Sequence, residues 1–426
     1  MSDDTQPDAA TPEAPVRYAT ANRTQVELVP TDLDALLPVG HAARLVWRFV
    51  EGLELTRFYT TIKAREGGPG RAPIDPKILI ALWLYATIDG VGSAREVARL
   101  GEAHVAYRWL RGGVGVSYHT LSDFRVAHQA ALDDLLTQSI ATLRHRGIVT
   151  LARVAQDGTR IRASAGAGSF RRAGRLQDCV REAQRLVART QRQTDGGLTR
   201  AEAAQQRAAA DRLARVDAAL AALDEVATVR AQRGRTTPPR ASTTDPDARV
   251  MKMADGGYRP GYNVQIATDM DGGAVVGVAV TNDRDDHAAF VPMMRQIQQR
   301  TGRAPTAAVV DAGVNSKAAL TTLAAAAITV YAPVPRRRGV REATARCAGD
   351  SDAVAAWRLR MGTDEAKALY RQRSAAAERM NADWRQHRGL THLPLRGLAK
   401  VHTWALWFAL ATNLMRLMDL VPHRTM

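Results

Sequence analysis

Three carboxylates stand in contexts that could do chemistry. They are Asp157 in Val154-Ala155-Gln156-Asp157-Gly158-Thr159, Asp311 in Val309-Val310-Asp311-Ala312-Gly313, and Glu378 in the run Tyr370-x2-Arg373-x4-Glu378. Each Asp comes just after a short apolar segment that reads as a buried strand, and Glu378 falls on a predicted helix. Acidic ligands from three separate elements suit a pair of divalent metal ions, which together can drive in-line displacement at a phosphodiester. Small residues follow both aspartates, Gly158 in one case and Ala312-Gly313 in the other. They leave room for a metal and a phosphate to approach the backbone. Arg385 lies seven residues past Glu378 and shares its helix face, as a phosphate clamp beside a metal ligand would. Other readings of these residues stay open. An Asp after a strand commonly forms a turn, and Glu378 with Arg385 could be an ordinary surface ion pair.

The charge balance says what kind of substrate such a site would meet. Lys and Arg total 59 against 43 Asp and Glu in the 426 residues, a formal net charge of +16. That excess suits a polyanion, because basic side chains that neutralise phosphates release counterions. Taken alone it does not separate DNA from RNA or from anionic lipid. No signature interleaving aromatics with basic residues points to RNA. Cys179 and Cys347 are the only cysteines, and two isolated thiols make neither a disulfide framework nor a thiolate metal site. A reducing cytoplasm is the expected setting. The acidic start Met1-Ser2-Asp3-Asp4 does not read as a signal peptide. The most apolar stretch, Trp404 to Leu414, is too short to span a bilayer.

The elements that must position the acids fall into five segments. Residues 1–17, with Pro7, Pro12 and Pro15 among acids and small residues, read as a disordered tail. Residues 18–147 read as all helical. Asp75-Pro76 opens one helix, Ser93 to Glu96 forms a capping box for the next, and a third over His104 to Leu110 ends at Gly112-Gly113. Another begins near Thr120 and carries Arg125, His128 and Leu132. Short helices with tight glycine turns suit a helix-turn-helix type of DNA reader. Residues 148–164 hold a first strand, Leu151 to Ala155. Residues 165–249 read as a helical hairpin: Arg171 to Arg240 contains 15 Arg, no Lys and 8 acids. Arg181, Arg185, Arg189 and Arg192 line one helix face, whereas Leu213, Val216, Leu220 and Leu223 repeat as a packing seam. A face rich in Arg and free of Lys favours phosphate contact. Residues 250–426 supply the remaining strands, Asn263 to Thr268, Ala274 to Val280, Ala307 to Val310 and Ile328 to Tyr331. The turn Asp271-Gly272-Gly273 makes a hairpin of the first two. Helices over His287 to Arg300 and Lys317 to Ala326 complete a mixed sheet with covering helices. Asp283, Asp285 and Asp286 read as caps of the helix near His287. Trp404 and Trp407 read as core, and Trp384 as core or as a platform for a displaced base.

Several stretches taken in order resemble the DDE transposases of bacterial insertion sequences, which combine a helical N-terminal domain with an RNase H-like catalytic core. Gln156-Asp157-Gly158-Thr159 resembles the first-acid motif. Ser242 to Arg249 and Gly257 to Asn263 resemble the lead into the second strand. Asp311-Ala312-Gly313 resembles the second-acid motif, Tyr370, Arg373 and Glu378 the third-acid signature, and Leu395 to Lys400 the helical close of the fold. The common signature has three residues between Arg and Glu where this chain has four, so Glu365 and Asp383 stand as alternatives for the third acid. Arg385 stands where Lys is common, and Val314-Asn315 where an aromatic residue is common. The resemblance implies an α/β, RNase H-like mixed β-sheet with flanking helices, and a helical insertion between its first and second strands. It implies that Asp157, Asp311 and Glu378 hold two Mg²⁺ ions, with Mn²⁺ as a substitute, and that Tyr370, Arg373 and Arg385 orient the DNA. Arg181, Arg185 and Arg189 are further candidates for DNA contact. The implied partners are double-stranded DNA, both the element's terminal inverted repeats and target DNA, and a second copy of the chain in a paired-end dimer, in the bacterial cytoplasm at the nucleoid. A cleavage-only or catalytically silent DNA-binding derivative is the alternative.

Overall fold

The computed structural model describes residues 24, 32–64, 72–192, 198–232, 234–335, 344–391 and 393–419. The expected tail over residues 1–17 and the Gly196-Gly197 turn lie outside the described residues. Among the described residues seven helices precede the first strand: α1 (Ala42–Glu51), α2 (Thr56–Tyr59), α3 (Pro76–Ile88), α4 (Ala94–Ala103), α5 (Val105–Arg111), α6 (Tyr118–Ala127) and α7 (Gln129–His145). Local chemistry starts and stops them. The Asp75 carboxylate accepts from Lys77 N at 2.9 Å beside Pro76 at the first helical position. Gly112 closes α5 with φ of 56°, a left-handed conformation that glycine adopts without penalty. The capping box at Ser93 is only half formed. Ser93 Oγ accepts from Glu96 N, but Glu96 pairs with Arg99 rather than reaching back. The helix expected from Thr120 through Leu132 is two helices. Ser117 caps the first through its hydroxyl, and the chain breaks at His128.

Among the described residues that follow, the chain is built on a six-stranded sheet. Its strands are β1 (Arg153–Arg162), β4 (Arg249–Lys252), β5 (Tyr258–Asp269), β6 (Val275–Thr281), β7 (Ala307–Val310) and β8 (Thr329–Tyr331). The short pair β2 (Phe170–Arg171) and β3 (Ala241–Ser242) forms a separate ribbon. β1 is central, antiparallel to β5 on one side and parallel to β7 on the other, with β8 parallel beyond β7. β6 and β4 both run antiparallel to β5 on its far side. Three antiparallel strands continued by two parallel ones give the RNase H-like mixed sheet that the motifs lead one to expect. Between β2 and β3 the chain leaves as α8 (Ala173–Arg192) and returns as α9 (Arg200–Gln232). This hairpin packs Leu176, Val216, Ala219 and Leu223, together with Ala241 of β3, into a small separate core. Leu213 and Leu220 of the expected seam are only half buried. The β2–β3 ribbon, unforeseen in the sequence, clasps the base of the insertion.

After β6 come α10 (Phe290–Thr301), β7, α11 (Lys317–Ala325) and β8, then α12 (Asp352–Gly362) and α13 (Asp364–Arg371). From Ser374 to His387 a short α14 (Arg379–Ala382) lies between two π turns, Ser374–Glu378 and Asp383–His387. The last helix, α15 (Leu398–Met418), is buried almost all round and packs against both α7 and β6. Asn413 fixes it there. Its Nδ2 donates to Ser139 Oγ and Val275 O, and its Oδ1 accepts from Val275 N. Trp404, Trp407 and Phe408 place large apolar surfaces in a core shared by the N-terminal helices and the sheet. Each such side chain contributes roughly 1.5–3 kcal/mol on burial. No helix among the described residues is long and apolar enough to cross a membrane.

Candidate active site

The register of the two parallel strands places the first two acids side by side. Gln156 of β1 pairs with Val310 of β7, so Asp157 and Asp311 are the next residues on adjacent strands. Asp311 follows β7 as expected. Asp157 does not follow its strand but lies within it, because β1 runs on to Arg162 in register with β5, pairing Asp157 with Ile266. The apolar run that announces β1 in the sequence is therefore only its first half.

Asp157 is held by two groups from the C-terminal segment. Arg373 Nη2 lies 3.0 Å from Oδ1, and Asn381 Nδ2 donates to Oδ2 at 2.9 Å. Gly158 N also donates to Oδ1. Burial pushes the Asp157 carboxyl above the usual carboxylate range, with Asp286 and Asp311 adding to the rise and Arg373 and Gly158 N opposing it. Tyr370 completes the local cluster. Burial raises its phenol, a shift opposed by Arg373 and reinforced by Asp311 and Asp157 nearby.

Arg373 is itself buried and reaches toward Glu378 as well, at 3.8 Å, while the Glu378 side chain remains 63% exposed. The guanidinium thus stands between the first and third acids as a positive charge shared by both. Glu378 closes the first π turn, so the fourth residue between Arg373 and Glu378 is taken up in a widened turn. Such single π turns inside helices recur at functional sites. Among the described residues no group of three His, Cys, Asp or Glu lies close enough to hold a metal ion. The donor chemistry nevertheless suits a hard divalent cation. The site offers carboxylate oxygens and, beside Asp157, the Asn381 Oδ1, which is buried and has no hydrogen-bond partner among the described residues.

Arg385 lies on the second π turn, and no ion pair among the described residues ties it to the three acids. Of the alternative third acids, Asp383 is engaged by Arg388 Nε at 2.6 Å, and Glu365 sits in the exposed first turn of α13. Trp384 is fully buried and donates to Thr412 Oγ1 at 2.9 Å. It is core, not a platform for a base. Arg181, Arg185, Arg189 and Arg192 are all exposed along α8, the placement a phosphate-contacting face requires. Neither Asn381 nor the hold of Arg373 on Asp157 was foreseen. The one signal for Asn381 is its place three residues after Glu378, a spacing that shares a helix face.

The residue after Asp157 points the other way and does something different. A Cβ on Gly158 would collide with the side chains of Gln265, Asp286 and Asn263. The space beside this glycine is therefore filled by protein and does not lie open to a ligand. Gly313 after Asp311 does face open space. Asp286 precedes the helical turn at His287, but its side chain makes no capping bond there. It accepts from Asn263 Nδ2 at 2.6 Å and from Gln265 Nε2, with Arg160 Nη2 at 3.8 Å. Two amides on the buried strand β5 compete successfully for the carboxylate, and the capping role expected of it fails.

Two family models match the chain. Residues 228–414 match the one described as Transposase DDE domain, and residues 31–127 the one described as Transposase domain (DUF772). The first match takes in Asp311, Tyr370, Arg373, Glu378 and Arg385 and begins after Asp157. No curated protein and no solved structure matches.

Proposed function

The chain belongs to the DDE-type transposases of insertion sequences, and from that premise we propose that it cuts the ends of its element and joins the freed 3′ ends to target DNA. The observation that carries this reading is the meeting of Asp157 and Asp311 on adjacent strands under a helical segment bearing Arg373 and Glu378. Asp157, Asp311 and Glu378 would hold two Mg²⁺ ions, or Mn²⁺ in their place. The pair would activate the attacking water or 3′-hydroxyl and stabilise the leaving oxygen. The protein's own part is positioning and charge. Arg373 neutralises Asp157 and Glu378 in the metal-free site, and once those acids have another partner its guanidinium is free to bind a backbone phosphate. Tyr370 beside it orients that phosphate, and Arg385 on the next turn is the further clamp. Arg181, Arg185 and Arg189 on α8 extend the contact along the double helix, an electrostatic role that salt would weaken. Two copies pairing two terminal inverted repeats in the bacterial cytoplasm, at the nucleoid, complete the reading.

A second reading is favoured by two observations. The exposure of Glu378 and the absence, among the described residues, of a closed three-acid group suit a DNA-binding derivative that does not cut. One experiment separates the two. Purified protein and its Asp157→Asn variant are added with Mg²⁺ to a plasmid carrying the gene's own flanking DNA, and 3′ ends are mapped at nucleotide resolution. Cuts at inverted flanking ends followed by joined product, both lost in the variant, are expected. Cuts without joining would leave a nuclease. Binding of the ends without cutting would leave the silent derivative.

A further inference from the structure

We infer that Asn381 supplies a fourth oxygen to the metal-holding set, beyond the three acids. The inference rests on the reading of Asp157 as a metal ligand. Asn381 carries one acceptor and two donors at the end of its side chain. The donor end is committed to Asp157 Oδ2 at 2.9 Å. Turning the amide over would set oxygen against carboxylate, so the network fixes which end faces Asp157. The acceptor end is then left over. Asn381 Oδ1 is buried and has no hydrogen-bond partner among the described residues, an arrangement proteins seldom keep without a use. An amide carbonyl is a hard oxygen ligand of the kind Mg²⁺ and Mn²⁺ accept. The position is also right, since Asn381 sits three residues beyond Glu378 and contacts the acid at the centre of the site.

The simpler role is orientation alone, with Asn381 a donor that keeps Asp157 in place. The two roles predict opposite orders of variants. If the oxygen binds the cation, Asn381→Ala weakens binding whereas Asn381→Asp, which supplies an oxygen at the same reach, preserves or tightens it. If only the donor matters, Asn381→Asp is the worse change, because it sets two carboxylates against each other.

The test uses the full-length protein without DNA, titrated with Mn²⁺ while free Mn²⁺ is followed by electron paramagnetic resonance. Melting curves confirm that each variant is folded. The expected result is a loss of Mn²⁺ affinity of roughly tenfold or more in Asn381→Ala, near wild-type or tighter binding in Asn381→Asp, and loss in Asp157→Asn. Wild-type affinity in Asn381→Ala, or a loss in Asn381→Asp as large as that in Ala, would overturn the inference while leaving Asp157 as a ligand. Equal binding by wild type and Asp157→Asn, or none by either, would remove the metal role of Asp157 and the inference with it. If the Ala variant does not fold, Asn381→Asp decides alone: retained binding supports the oxygen ligand and lost binding overturns it.

Discussion

Asp157 and Gly158 are neighbours on one strand, and the two faces they serve are built on opposite terms. On the Asp157 face a carboxylate is balanced by Arg373 and Asn381, the Asn381 oxygen has no partner among the described residues, and a third acid stands out in solvent. On the Gly158 face Gln265, Asn263 and Asp286 close over the missing side chain, and Gln156 Nε2 donates to Gln265 Oε1 at 3.0 Å. Successive residues of a strand point to opposite sides, so one residue's step separates a site kept incomplete from a packed polar cluster. Unpaired groups in a low-dielectric setting are costly, and a site can bear that cost only where its surroundings are rigid. The filled face gives the open face a firm floor.

The sharpest way to break this contrast is to fill the glycine. Gly158→Val would drive two methyls into Gln265, Asp286 and Asn263 with no flexible gap to receive them. A loss of at least the ~1–3 kcal/mol typical of overpacking is expected, seen as a lowered denaturant midpoint. Gly313→Ala meets nothing within 4 Å and should leave the midpoint nearly unchanged. Equal stability of the two variants would show that the cluster behind β1 yields easily and is no floor.

The same strand shows where sequence reading reaches and where it stops. β7 is an uninterrupted apolar run, buried at every residue, and its limits were legible to the residue. β1 was legible only as far as Ala155, because Gln156, Asp157, Thr159 and Arg160 carry polar groups to both faces and erase the alternation that marks a strand. The buried amide that Gln156 meets, Gln265, lies on β5 at a separation of 109 residues. The helical insertion was legible because its Arg-rich face and apolar seam repeat locally. The π turn before Glu378 was not, since Ser374-Ala375-Ala376-Ala377 gives no periodic signal of a widened turn. Asn381 touches Asp157 across a separation of 224 residues, a contact that one-dimensional spacing does not encode.

A second, intermediate effect probes the charge on the open face. The Asp157 carboxyl is raised, chiefly by burial, so the folded state binds a proton more readily than the unfolded chain does. For such a group stability falls as pH rises from the ordinary carboxylate range through the raised value. Asp157→Asn removes that term. The difference in melting temperature, wild type minus variant, should therefore fall as pH is raised from about 4 toward neutrality. Mn²⁺ binding by the wild type should move the other way, strengthening as the acid ionises. A melting difference that grows with pH would mean that Arg373 outweighs burial and that the carboxyl is lowered instead.

The smallest effect should come from the carboxylate on the closed face. Asp286→Asn keeps an oxygen where Asn263 and Gln265 donate, and it gives up the charge that faces Arg160 at 3.8 Å. An ion pair this long and partly exposed contributes at most about 1 kcal/mol, so the expected loss is of that size. The stronger expectation concerns what stays unchanged. Asp286 lies on the Gly158 face, and its influence on Asp157 is a minor, through-space repulsion that raises the Asp157 carboxyl. Removing that charge should shift Mn²⁺ binding to slightly lower pH while leaving its affinity above neutral pH as in the wild type. A loss of affinity there comparable to that of Asp157→Asn would place Asp286 among the metal ligands. The two faces would then be one site reached around the edge of β1.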